Sequence, residues 1–148
     1  MWHRRELIKT LGAVLLAPGS GLLASYDLLT LRGHVVCTGE NHKEGDEHEH
    51  VWSFETNDKR VYPLFRALTS EALFEDPEMR KRELQVTGRI HPEKKTFEVF
   101  QTRSVKDGRL QDIYYWCEVC SIRSPIPGPC WCCYNPFELR EVPLLTEQ

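Results

Sequence analysis

Residues 96–116 read TFEVFQTRSV, then KDG, then RLQDIYYW, and this stretch decides how the rest of the chain is organised. Asp107-Gly108 supplies two residues that tolerate the left-handed backbone of a tight hairpin, so 96–105 and 109–116 are predicted to be antiparallel strands. Upstream, 83–91 (ELQVTGRIH) alternates Leu84, Val86 and Gly88 against Gln85, Thr87 and Arg89, the two-residue period of a strand buried on one face, and 92–95 turns it into the hairpin. Asp76-Pro77 places a capping carboxylate before a proline at the first helical position, and Ser70 precedes Glu71-Ala72-Leu73-Phe74 as a second cap. Further upstream, 51–56 and 60–64 flank the turn Asn57-Asp58-Lys59, with Pro63 marking an edge or an end. The first strand, 31–38, sets Leu31, Gly33, Val35 and Cys37 against Arg32, His34 and Val36.

Three strands, a helical connection and three more strands give a mainly β body over 31–116. The order resembles that of the OB-fold, so the expectation is a small Greek-key barrel with one short helical connection and an irregular cysteine-rich tail over 117–148. Gly33 and Gly88 are placed where coiling strands crowd each other. An SH3-like barrel or an open sandwich is the alternative.

Downstream, the last strand runs into WCEVCSIRSPIPGPCWCCY. Five of the six cysteines lie here, and Cys117/Cys120 and Cys130/Cys133 form two C-x-x-C pairs. Each pair can offer two sulfurs from one tight turn, and Pro125, Pro127, Gly128 and Pro129 restrict the loop between them. The predicted site is a closed four-thiolate zinc centre of structural type, with Cys132 as a substitute ligand. Three other readings stand beside it. The same ligands can hold a single iron, since the paired knuckles resemble those of rubredoxin and Cys132-Cys133 resembles the vicinal pair of desulforedoxin, in the cysteines alone. Three disulfides can staple the tail, with Cys37 joining it to the body, although the vicinal pair strains some connectivities. Cys117 and Cys120 can also act as a redox dithiol, but no helix signal follows them to lower a thiol pKa.

At the other end, Arg4-Arg5-Glu6-Leu7-Ile8-Lys9 precedes the apolar run 10–24, broken by Pro18, Gly19, Ser20 and Gly21. The arrangement resembles a twin-arginine export signal, and the run is too short and interrupted for a comfortable membrane span. Residues 1–24 are therefore expected to be an address, cut after Ala24 or at a second candidate marked by Ala17/Gly19, or retained as an anchor, with export to the periplasm or the outer face of the cytoplasmic membrane. That route carries folded proteins, so a metal can be loaded in a reducing compartment before the thiols meet an oxidising one.

The net charge of −3 becomes more negative once Arg4, Arg5, Lys9 and Glu6 are set aside, which argues against nucleic acid as a partner. Arg80-Lys81-Arg82 is flanked by acids and reads as a solvated helix end. His42, His48 and His50 mark a second candidate site for copper, nickel or zinc, in a loop otherwise read as solvated and acidic. His34 and His91 read as body and turn residues. No Gly-rich phosphate loop, G-x-S-x-G elbow or H-E-x-x-H helix occurs. No catalytic residue is assigned, and the expectation leans to a non-enzyme. Trp116, Trp131, Tyr114, Tyr115 and Tyr134 are expected to shield the metal and dock the tail, or to meet a partner, an envelope protein being the one considered.

In whole-chain pattern the protein resembles small twin-arginine-exported bacterial proteins with an OB-like body and a C-x-x-C…C-x-C-C tail. The resemblance rests on the signal, on Ser70-Glu71-Ala72-Leu73-Phe74, on Glu83-Leu84-Gln85-Val86-Thr87-Gly88-Arg89 and on 114–141. It implies a fold and a destination, and no activity. The rival to a zinc-bearing module is a redox protein with an Fe(Cys)4 centre or a reactive dithiol.

Overall fold

The two-residue alternation read from the sequence is realised as one antiparallel sheet in a computed structural model, which describes residues 27–39 and 51–144. Its strands are β1 (Leu29–Cys37), β2 (Trp52–Thr56), β3 (Val61–Pro63), β4 (Leu84–Ile90), β5 (Phe97–Lys106), β6 (Arg109–Cys117), β7 (Ile122–Ser124) and β8 (Glu138–Pro143). Hydrogen-bonded neighbours run β3-β2-β1-β4-β5-β6-β7, and β8 pairs with β6. A 3-10 turn (Leu68–Ser70) and two short helices, α1 (Glu71–Glu75) and α2 (Pro77–Arg80), connect β3 to β4.

Leu31, Val35, Leu84, Val86, Phe97 and Val99 are buried with Phe54, Leu73 and Met79, so one face of the sheet and the helical connection share a core. Strand β1 serves two partners. Its first half pairs with β4 from Leu29 to Gly33, and its second half pairs with β2 from Gly33 to Cys37. Gly33 sits where both pairings meet, and a Cβ built there would lie 1.9 Å from the Glu55 carbonyl oxygen. Gly88 is equally confined, 2.0 Å from the Glu98 carbonyl oxygen, beside a register shift at Thr87/Gly88. The crowding expected at both glycines is therefore backbone against side-chain position.

The sheet is not closed into a barrel, and the Greek-key barrel expected from strand order is corrected to an open sheet. Beyond β3 the chain meets β5 at an isolated parallel bridge, Leu64–Phe97, where the Phe65 N–H donates to the Phe97 carbonyl at 2.9 Å. Strand β3 has three residues and ends on Pro63, which has no N–H to extend a ladder. The irregular tail is corrected too. Strand β6 continues past its pairing with β5, which ends at Asp112. Strand β7 takes up Tyr115, Trp116 and Cys117 on that side, and β8 pairs with Gln111 to Trp116 on the other. Buried backbone donors and acceptors need partners, and the tail provides them.

The helical connection is tied down by one carboxylate. As expected, Asp76 caps α2, accepting from the Glu78 N–H at 2.8 Å with Pro77 at the first helical position. Its second oxygen accepts the Tyr115 hydroxyl at 2.6 Å, linking α2 to β6. Burial, and then the Asp76 carboxylate, push the Tyr115 phenol well above its ordinary range. Ser70 does not cap α1 with its side chain; its hydroxyl donates to the carbonyls of Phe65 and Ala67 instead. Asp76→Ala removes a helix cap and strands a buried hydroxyl, so it is expected to cost about 2–3 kcal/mol in urea unfolding. Tyr115→Phe, which leaves the cap intact, is expected to cost about 1 kcal/mol.

Candidate metal centre

The two C-x-x-C segments fold into matching knuckles. Cys117 ends β6, and residues 118–121 reverse the chain into β7. The Ser121 N–H donates to the Cys117 carbonyl at 2.8 Å, with Ser121 at φ 54°. In the second knuckle the Tyr134 N–H donates to the Cys130 carbonyl at 2.9 Å, with Tyr134 at φ 61°. In both, the residue after the second cysteine takes a left-handed backbone that normally favours glycine, and so aims both thiols of the pair to one side. The Cys130 N–H donates to the Asn135 carbonyl at 2.7 Å and Phe137 N–H to the Gly128 carbonyl at 2.9 Å, pinning the second knuckle at its base.

The sulfurs of Cys117, Cys120, Cys130 and Cys133 all lie within 4.8 Å of one another, and those of Cys117 and Cys133 are 3.4 Å apart. A tetrahedral zinc with sulfurs at about 2.3 Å requires sulfur–sulfur separations of about 3.8 Å. The cluster fits that size, and its all-thiolate chemistry suits zinc or iron. Cys117 and Cys130 are buried, while Cys120 and Cys133 are half-buried, so each knuckle gives one inner and one outer sulfur.

Electrostatics point the same way. Burial raises the Cys130 thiol, but the backbone N–H groups of Cys133 and Cys132 aimed at its sulfur prevail and bring it down to about 7. The Cys120 thiol is pushed far up by the side chains of Cys132 and Cys133 and by burial. At Cys117 a backbone N–H from Cys120 favours the thiolate, yet burial and the Cys133 side chain outweigh it and raise the pKa. Cys130 is thus the sulfur favoured as thiolate, while Cys117 and Cys120 are held as thiols by burial and by the neighbouring cysteine side chains.

All four cysteines predicted as ligands are thus brought together. Cys132, the expected substitute, lies outside the four and is exposed, and Cys37 is on β1 away from the group. His42, His48 and His50 lie outside the described residues, as does the segment 1–24. The aromatics divide their roles. Tyr115 is buried in the core, whereas Trp131 is 61% and Tyr134 80% exposed, so neither encloses the sulfurs. Trp131 packs edge-on against Phe137 at 5.3 Å. Trp116 donates to Glu118 at 3.1 Å, and Arg140 of β8 reaches both the Glu118 carboxylate and the Trp116 ring. Sequence reasoning passed over this Glu118–Arg140 tie, and over Ser121 and Tyr134. The available signal was their position, one step past each C-x-x-C, where the knuckle demands a positive φ.

What the arrangement can do chemically is bounded by its closure. Four thiolates around one ion would fill a tetrahedron and leave no position open to a substrate. No protein-family model matches the chain, and comparisons with curated proteins and with solved structures find no match, so no family is identified for it.

Proposed function

We propose that this is an exported, non-enzymatic module whose tail is held by a structural zinc ion on Cys117, Cys120, Cys130 and Cys133. The observation that carries the reading is the convergence of four sulfurs, mutually within 4.8 Å, from two knuckles of like backbone geometry. Zinc is the ion taken here because a closed set of four thiolates is the common structural zinc site, although the same set and its N–H donors suit a single iron equally. The ion would contribute to folding directly, since the tail between β7 and β8 has few buried apolar side chains of its own. The physiological role would be recognition of an envelope protein rather than of nucleic acid, consistent with the acidic balance.

Elemental analysis with thiol counting, on protein purified after native export, tests the metal. About one zinc per chain with the thiols reduced is expected. A coloured protein carrying iron would shift the assignment to the electron-transfer rival, and a metal-free chain with three disulfides would remove both. The export address is tested separately: Arg4→Lys with Arg5→Lys is expected to leave the protein in the cytoplasm. Undiminished export of that variant counts against the twin-arginine reading.

A further inference from the structure

On the side that faces β5, strand β6 lacks a neighbour for two residues. Pairing with β5 ends at Arg103–Asp112 and pairing with β7 begins at Tyr115–Ser124, so Ile113 and Tyr114 meet none of the described strands on that edge. Strand β5 is bulged close by. Thr87 pairs with Gln101 and Gly88 with Val99, which leaves Phe100 unopposed and 43% exposed. Such a bulge bends its strand and re-aims the side chains beside it. A cavity of about 200 Å³ opens in the gap, with Leu73, Met79, Phe100, Thr102, Ile113 and Pro125 in its walls.

These walls are mostly apolar, and three polar groups that border them are already engaged. The Thr69 hydroxyl donates to the Val99 carbonyl and the Tyr115 hydroxyl to Asp76. Arg123, stacked over the Tyr114 ring at 3.7 Å, is paired with Asp112 at 2.6 Å. Thr102 differs: its Oγ1 is shielded from solvent and has no hydrogen-bond partner. A hydroxyl buried unmatched costs the fold. Rotation about χ1 exchanges a threonine's hydroxyl and methyl between staggered positions, so this one can turn toward an occupant of the cavity.

We propose that this cavity binds a single uncharged phenolic ring, packed against Met79, Ile113 and Phe100, with its hydroxyl bonded to Thr102 Oγ1. The size fits: an apolar cavity of about 150 Å³ holds benzene, so this one has room for one ring with a small substituent. The Phe100 and Tyr114 rings and the Met79 thioether suit an aromatic occupant through ring–ring and sulfur–ring contacts. A charged ligand is disfavoured, because the neighbouring Arg123 already has its carboxylate and the remaining walls are apolar. A phenol hydroxyl can both donate to and accept from a threonine. The ring can belong to a free phenol or to a tyrosine side chain of another protein. None of the residues in these walls is a sulfur ligand, so the proposal stands whichever ion fills the centre.

The test titrates the full chain with p-cresol and with toluene and follows amide chemical shifts. p-Cresol is expected to bind with a Kd below about 1 mM and to shift amides at 100–102 and 113–115. Thr102→Val should weaken p-cresol about fivefold, the loss of one hydrogen bond, and leave toluene unchanged. Its urea midpoint should equal or exceed that of the unaltered protein, because the substitution removes an unmatched hydroxyl and breaks no bond within the fold. Phe100→Ala, at an exposed bulge, should weaken both rings at least about threefold. N-acetyltyrosinamide separates the two sources: affinity equal to that of p-cresol assigns a tyrosine side chain, and exclusion assigns a free phenol. The proposal is overturned if p-cresol produces no saturable shifts at those amides, if Thr102→Val binds it as tightly as the unaltered protein, or if the Thr102→Val midpoint falls.

Discussion

Gly33→Ala is expected to abolish folding or to lower stability by about 3 kcal/mol or more, the upper end of what overpacking does. The obstacle is backbone, not side chain: the added methyl would lie 1.9 Å from the Glu55 carbonyl oxygen and 2.8 Å from the Thr56 Cα. Neither atom can rotate away. Relief requires β1 to separate from β2 at the residue where β1 also pairs with β4, so both ladders are disturbed together. Gly108→Ala is the informative contrast. Gly108 has φ +75° and open space around it, so alanine there meets backbone strain without collision and is expected to cost about 1 kcal/mol. Urea unfolding followed by far-ultraviolet circular dichroism ranks the two. A Gly33→Ala midpoint equal to that of the unaltered protein would mean that β1 and β2 are not held this close.

Cys130→Ser is expected to weaken zinc binding by at least on the order of 100-fold, more than loss of an outer hydrogen bond typically does. Cys130 is 0% exposed, its N–H is tied to Asn135, and backbone N–H groups from its own knuckle already favour its thiolate. A serine hydroxyl keeps the shape but offers a harder, far less acidic donor, leaving three sulfurs around the ion. Cys37→Ser serves as the comparison, since Cys37 stands outside the group and is expected to leave zinc affinity unchanged. Chelator competition measures both. Full affinity in Cys130→Ser would take Cys130 out of the ligand set even with zinc bound.

How much of this was legible depends on whether a feature is local. The hairpin at Asp107-Gly108 was, because both residues take the positive φ that the dipeptide permits. The Asp76-Pro77 helix start was, because a carboxylate and a proline act within one turn. The sulfur set was legible because each C-x-x-C constrains its own turn. Strands β7 and β8 were not. Ile122–Ser124 has three residues, and Glu138–Pro143 lacks a clean alternation of buried and exposed positions. They are strands because β6 presents free edges to them, a tertiary cause that no window of sequence contains. The open sheet was hidden for the same reason: strand order suggested closure, whereas the three-residue β3 ends at Pro63 and meets β5 only at the isolated bridge Leu64–Phe97. Ser70 was misread because its hydroxyl found carbonyls behind it before it could serve the helix ahead.

Strand β6 has a further consequence. It is hydrogen-bonded to β5, β7 and β8, and its final residue is Cys117. Slow-exchanging amides in its second half should therefore lose protection in step with ion release, as a single cooperative opening rather than as fraying of an appendage. The sulfur cage and the sheet are then expected to open as one unit, so that a chelator added to the loaded protein would report on the centre of the domain.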